Sequence, residues 1–272
     1  MNRAMVPATI ESHAMALPER PTLMHSFFEL RFPIEAGMLW MHAINHPWPR
    51  VSPANRRTVM LIPGFMAGDT SLALLASFLR WLGHRTEFAG IRSNSNCPRD
   101  TLHHLGRRLA QISKTHNTRV TIVGQSLGGT YARELSARHP ELIDQVITLG
   151  SPIRLVRDAA NPVVVAAARW IAMLRQLRDG CLTEACACGL QIAEKEDEQV
   201  PTTVIFSRTD GVVHWTACVD RTGSPLVSNV EVMASHVGMG FNADVYRIVA
   251  DHLARPSHYH AQIELQAAAT TC

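Results

Sequence analysis

The stretch Arg119–Tyr131, RVTIVGQSLGGTY, constrains this chain more than any other. Val120, Thr121, Ile122 and Val123 are β-branched and read as a short buried strand, while Gly128 to His139 has helical character. Between them lies a G-x-S-x-G turn, Gly124-Gln125-Ser126-Leu127-Gly128. A strand that reverses directly into a helix holds its central residue in a strained backbone conformation. A side chain two positions before or after it would meet the neighbouring strand or helix, which is why both positions are glycine. The turn lifts the Ser126 hydroxyl from the sheet edge, at a helix N-terminus whose free N–H groups favour negative charge. The bare pattern arises by chance in roughly one chain of this length in ten, so its strand-to-helix placement carries the weight.

Around this unit the apolar pattern alternates. Thr58–Ile62 is a near-continuous apolar run with the look of a central parallel strand, ending in Pro63-Gly64-Phe65-Met66-Ala67-Gly68-Asp69. A helix over Leu72–Leu82 follows, with Thr70 or Ser71 as its cap and Gly83 as its end. Asp69 is also read as capping this helix rather than taking part in chemistry. Residues 86–91 form a weak strand. Arg99–His116 places Leu102, Leu105, Leu109 and Ile112 on one helix face, and Gln145–Leu149 is another buried strand. Strand, helix and strand in this order predict an α/β fold, a mostly parallel sheet with helices on both faces.

The pattern breaks at 152–200, read as a helical cap insertion built on a helix from Asn161 to Gly180. It resumes at Thr202–Phe206, then at a last strand, Asn229–Met233, and a helix from about Asn242 to Leu253. The core is therefore 58–151 plus 201–256, preceded by an extension, 1–57, and followed by a tail, 257–272. In the extension Phe27, Phe28, Leu30, Phe32 and Ile34 are read as packing on the core, with Pro33 as a helix breaker. Peripheral contact with lipid is the alternative.

Composition narrows the function. With 46% hydrophobic and 18% charged residues the chain is globular, and a formal charge of +3 without a basic block argues against nucleic acid. No apolar run reaches the length of a membrane span. Glu11, Ser12 and His13 interrupt the apolar N-terminal stretch, so no signal peptide is read and a cytoplasmic location is expected. Reduced thiols follow as the default. Cys181, Cys186, Cys188 and Cys218 form a candidate disulfide or zinc cluster, but their spacing matches no common zinc finger, and no metal is assigned. There is no phosphate loop or dinucleotide fingerprint, so no cofactor is implied. Nothing in the sequence sets an oligomeric state.

A serine hydroxyl needs a base within hydrogen-bond reach, and the base needs an orienting carboxylate. Asp210 sits just past a strand before Gly211, and His236 just past the final strand. All such loops of a parallel sheet gather at one edge, so Ser126, Asp210 and His236 can converge in the order Ser, Asp, His. Asp220 is the alternative acid, and His214 stands too close to Asp210 in sequence to serve as its partner.

Through LIPGF (61–65), GQSLGG (124–129), SRTDGVV (207–213) and SHVGMG (235–240), the chain resembles an α/β-hydrolase of the lipase/esterase type. It is similar to bacterial serine hydrolases with a Pro-Gly-Phe oxyanion turn, over about residues 58–254. It departs from many members in having Pro63 where His-Gly is common. The resemblance implies that Ser126 attacks an acyl carbonyl, His236 carries the proton and Asp210 holds the imidazole. The backbone amides of Phe65 and Leu127 are the implied oxyanion donors. The expected substrate is a small or lipid-like ester with an apolar acyl group, and Met66, Trp170 and Leu174 are candidates to line its pocket. A thioesterase or acyltransferase would use the same triad, and a non-catalytic binding protein is the third reading.

Overall fold

The computed structural model describes residues 29–45, 48, 51–153, 166 and 199–255. Among the described residues six strands form one parallel sheet: β1 (Thr58–Ile62), β2 (Arg85–Phe88), β3 (Val120–Gln125), β4 (Ile143–Leu149), β5 (Thr202–Phe206) and β6 (Val227–Glu231). Their spatial order is β2-β1-β3-β4-β5-β6. The central strands are buried on both faces, which is why they read as unbroken apolar runs rather than alternating ones. Alternate residues nevertheless serve opposite layers. Val59 and Leu61 join Leu75, Leu79, Tyr246 and Val249 on one face, whereas Met60 and Ile62 join Leu105, Leu109, Tyr131 and Leu135 on the other.

The helices supplying the first layer are α2 (Ala73–Leu82) and α6 (Ala243–Ala254). Those of the second are α3 (Pro98–His116) and α4 (Leu127–Arg138). A single turn, α5 (Trp215–Cys218), follows β5. Leu39 of α1 (Phe32–Asn45) enters the first layer, and a short 3₁₀ turn, Glu29–Arg31, leads into that helix.

One topological feature positions the site. From β1 the chain moves outward to β2, then returns past β1 to lay down β3, with Ile62 opposite Gly124. The loops leaving β1 and β3 therefore turn to opposite sides of the sheet and open a crevice at its C-terminal edge, the place where open α/β sheets take ligands.

Several local expectations are corrected. Neither Thr70 nor Ser71 caps α2; a 3₁₀ turn, Asp69–Leu72, precedes it, and its N-terminal residue Leu72 offers no side-chain cap. Asp69 does not cap the helix either. Its carboxylate accepts the amides of Gly90 (2.9 Å) and Ile91 (3.1 Å), pinning the turn after β1 to the chain beyond β2. Pro33 does not break α1 but stands in its first turn, where a missing N–H costs nothing. Ile34 is 63% exposed rather than packed on the core. Phe27 and Phe28, and the side chains of Leu30 and Phe32, lie outside the described residues, as does the expected cap helix. The last strand runs two residues earlier than the pattern predicts, because this edge strand is half exposed and its alternation is weak. Among the described residues no helix is long and apolar enough to cross a membrane.

Candidate active site

Ser126, between β3 and α4, has φ 51° and ψ −124°, a positive-φ conformation that a residue with a side chain adopts at a cost of about 1–3 kcal/mol. Its amide donates to Leu149 O (2.8 Å), and its carbonyl accepts from Gly129 and Thr130, so sheet and helix both hold the turn. The flanking glycines are required by close approach. A Cβ at Gly124 would lie 2.5 Å from the Gly128 carbonyl carbon, and one at Gly128 would overlap Ile62 O of β1. Gln125 points the other way, its amide donating to His236 O (3.1 Å).

Across the crevice, the turn after β1 is braced by a residue that the sequence reading missed. Asn94 is buried, and its side chain donates to Pro63 O (2.8 Å). Its backbone donates to Ala67 O (2.8 Å) and accepts from the Met66 amide (3.0 Å). This pairing consumes the Met66 amide and holds Met66 itself at φ 61°. The amides of Phe65 and Leu127 have no acceptor among the described residues. Gly64 lets this turn close on the serine: a Cβ there would stand 3.2 Å from Ser126 Cβ.

Asp210 and His236 are brought together. His236 Nδ1 lies 2.7 Å from Asp210 Oδ2, both side chains are buried, and Asp210 Oδ1 accepts the amides of Val212 and Val213 at 2.8 Å each. The ionised acid can only accept, so the proton of the pair sits on Nδ1 and leaves Nε2 as the basic nitrogen. Burial by itself disfavours the imidazolium. The charge and hydrogen bond of Asp210 outweigh it, with a further contribution from Glu29, and hold His236 above its ordinary pKa. Gly150, at φ 55°, backs the pair, since a Cβ there would come 3.0 Å from Asp210 Oδ2. Ser126 Oγ makes no hydrogen bond to His236 among the described residues.

The alternatives have other partners. Asp220 forms a buried ion pair with Arg133 (2.7 Å) and accepts from the Thr222 hydroxyl (2.6 Å) and amide. Burial opposes its charge, but Thr222 and then Arg133 prevail, and its carboxyl titrates below the ordinary range. Asp220→Asn should therefore cost about 3 kcal/mol of stability by taking the buried carboxylate away from the Arg133 guanidinium, which a urea melt would read, without altering the pH dependence of turnover. His214 Nδ1 faces Thr216 Oγ1 (2.7 Å), not Asp210. Cys218 is a free, buried thiol, pushed up by burial; Cys181, Cys186 and Cys188 lie outside the described residues. Among the described residues no cluster of His, Cys, Asp or Glu could hold a metal. Of the candidate pocket residues, Met66 is exposed at the rim, and Trp170 and Leu174 lie outside the described residues.

Two more residues were missed. Glu29 accepts the amides of Gly211, beside Asp210, and of His236 and Val237 on the histidine loop, where Glu35 accepts the amide of Ser235. A signal was available: they are the only acidic residues between Glu19 and Asp69, set in an apolar segment.

No protein-family model matches the chain. The biotin biosynthesis bifunctional protein BioHC of Teredinibacter turnerae is 33% identical over 122 residues, 43% of this chain and 21% of that protein. Among solved structures, Bacillus licheniformis lipase BlEst2 in mature form matches with a TM-score of 0.56 at 13% identity, over 78% of this chain and 96% of that one. Aspergillus fumigatus lipase B matches with a TM-score of 0.54 at 16% identity, over 75% of this chain and 54% of that one. The chain thus spans about a fifth of the curated relative's length and about half of the fungal lipase. Its parallel six-stranded sheet with helices on both faces is the α/β-hydrolase fold.

Proposed function

We propose that the chain is a serine hydrolase of carboxylic esters that works through an acyl-enzyme. The observation that carries this reading is a strained, partly open serine at the β1/β3 crevice, on the sheet edge where a buried Asp210–His236 pair also stands. Ser126 Oγ attacks the acyl carbonyl while its proton passes to His236 Nε2. The carbonyl oxygen becomes an oxyanion facing the amides of Phe65 and Leu127, donors of a kind typically worth about 3 kcal/mol each in the transition state. Collapse breaks the ester C–O bond, and Nε2 returns the proton to the leaving alkoxide. Water then attacks the acyl-enzyme by the same route and restores Ser126. Asp210 keeps the imidazole in the tautomer each step needs.

An ester is the bond to test first because structures sharing this fold include the two lipases above, and because Met66 and Val237 give the rim exposed apolar surface suited to an acyl group. The test combines a p-nitrophenyl ester series of increasing acyl length with labelling by a fluorophosphonate, mapped by mass spectrometry. Turnover should fall in proportion to a single adduct on Ser126. Full turnover in fully labelled protein, or an adduct elsewhere, would overturn the reading.

A further inference from the structure

The histidine loop is shaped by carboxylates that the mechanism above does not use. Four consecutive amides, Ser235 to Gly238, turn inward. Ser235 N donates to Glu35 Oε1 (2.8 Å), His236 N to Glu29 Oε1 (2.7 Å), Val237 N to Glu29 Oε2 (3.1 Å) and Gly238 N to Ser235 Oγ (3.1 Å). Ser235 Oγ in turn donates a hydrogen bond to Glu35 Oε2 (2.9 Å). Glu29 Oε1 also accepts the amide of Gly211, directly after the acid (2.9 Å). One carboxylate therefore ties the loop bearing the acid to the loop bearing the base. The seat is specific: a Cβ at Gly238 would overlap the Glu35 carboxylate. Bonds from amides to a carboxylate are about twice as strong as neutral ones, and a buried amide left without its acceptor would open the loop.

We infer that Glu29 is a positioning residue for the catalytic histidine, holding the His236 backbone and the Asp210 loop in one frame and placing a second negative charge beside the imidazole. Glu35 supports the same loop from α1. This rests on the Ser126/His236/Asp210 reading proposed above.

The charges around His236 come from several elements. Asp210 contributes from the acid loop, Glu29 from the N-terminal 3₁₀ turn and Glu35 from α1, while the neutral Cys218 thiol stands behind Asp210. Arg31 turns its guanidinium onto the Met233 sulfur (3.7 Å). With Glu29 neutralised, the imidazolium loses one stabilising anion and its pKa falls. The base is active when neutral, so the acid limb of activity moves to lower pH.

The experiment measures fluorophosphonate inactivation and p-nitrophenyl butyrate turnover from pH 5 to 9 in the full chain, Glu29→Gln, Glu29→Asp and Ser126→Ala. In Glu29→Gln the carboxamide sets an N–H against an amide. Inactivation should slow about ten-fold at neutral pH, and the acid limb should shift down by about half a unit. Glu29→Asp keeps the charge but shortens the reach, so it should slow the reaction with the limb close to that of the parent. Should Glu29→Gln fail to fold in a thermal melt, Glu29→Asp carries the test, and parental rates in it overturn the proposal. A folded Glu29→Gln protein with parental rate and limb would overturn it as well, leaving the segment a mere strap. Labelling that persists in Ser126→Ala would instead strike the triad reading, so the two failures are distinguishable.

Discussion

Asp210→Asn is expected to lower kcat for p-nitrophenyl esters by about four orders of magnitude while leaving the fold intact. The geometry dictates the direction. Asp210 Oδ1 accepts two amides, Val212 and Val213, so an asparagine must keep its carbonyl oxygen there and turn its NH₂ towards His236. Nδ1 then has to accept, and the imidazole proton moves to Nε2, the nitrogen that should receive the serine proton. The base is lost through its tautomer, not its position. Steady-state kinetics from pH 5 to 9 would check this, with circular dichroism as the control for folding. A loss of less than ten-fold would remove Asp210 from the acid role, and an equal loss in Asp220→Asn would transfer it.

The second large effect concerns packing. In Gly128→Ala the new methyl overlaps Ile62 O and would stand 2.7 Å from Pro63 O. Both are backbone atoms at the end of β1, and neither can rotate away. Helix α4 must back off from β1, carrying the Leu127 amide away from Gly64 and Phe65. Overpacking of this kind costs about 3 kcal/mol, which lowers the melting temperature by about 5 °C in a chain of this size. Displacing the Leu127 amide, an oxyanion donor on the reading proposed above, should lower kcat about a hundred-fold besides. Calorimetry and kinetics on one preparation would test it, and a variant that keeps both melting temperature and kcat would show the helix has slack that the structure does not display.

The sequence was legible where burial on both sides imposes an unbroken pattern. Thr58–Ile62 and Thr202–Phe206 are fully buried, and their strand limits could be read directly. Gly83, at φ 112°, ended α2 as its lack of a Cβ suggests. Asp210 and His236 could be placed because residues just past parallel strands share one edge, and the structure pairs them. Side chains that act across the chain were not legible. Asp69 looked like a helix cap because a turn and a helix adjoin it, yet its partners lie 21 and 22 residues away. Asn94 sits in a stretch with no periodicity, although it organises the turn opposite Ser126. Glu29 and Glu35 were hidden by their apolar neighbours, which drew attention to core packing or lipid instead.

The hydrogen bond between Glu29 and His236 spans 207 residues of sequence. Contacts that distant cost the most loop entropy and form late, after local helices and neighbouring strands have assembled. During synthesis the carboxylate emerges long before the loop it will hold. A chain growing from its N-terminus can lay down β1 to β4, and even display the serine turn, without being able to activate that serine. On the serine-hydrolase reading proposed above, completion of the fold switches the site on, and a partly made chain carries a nucleophile with no base.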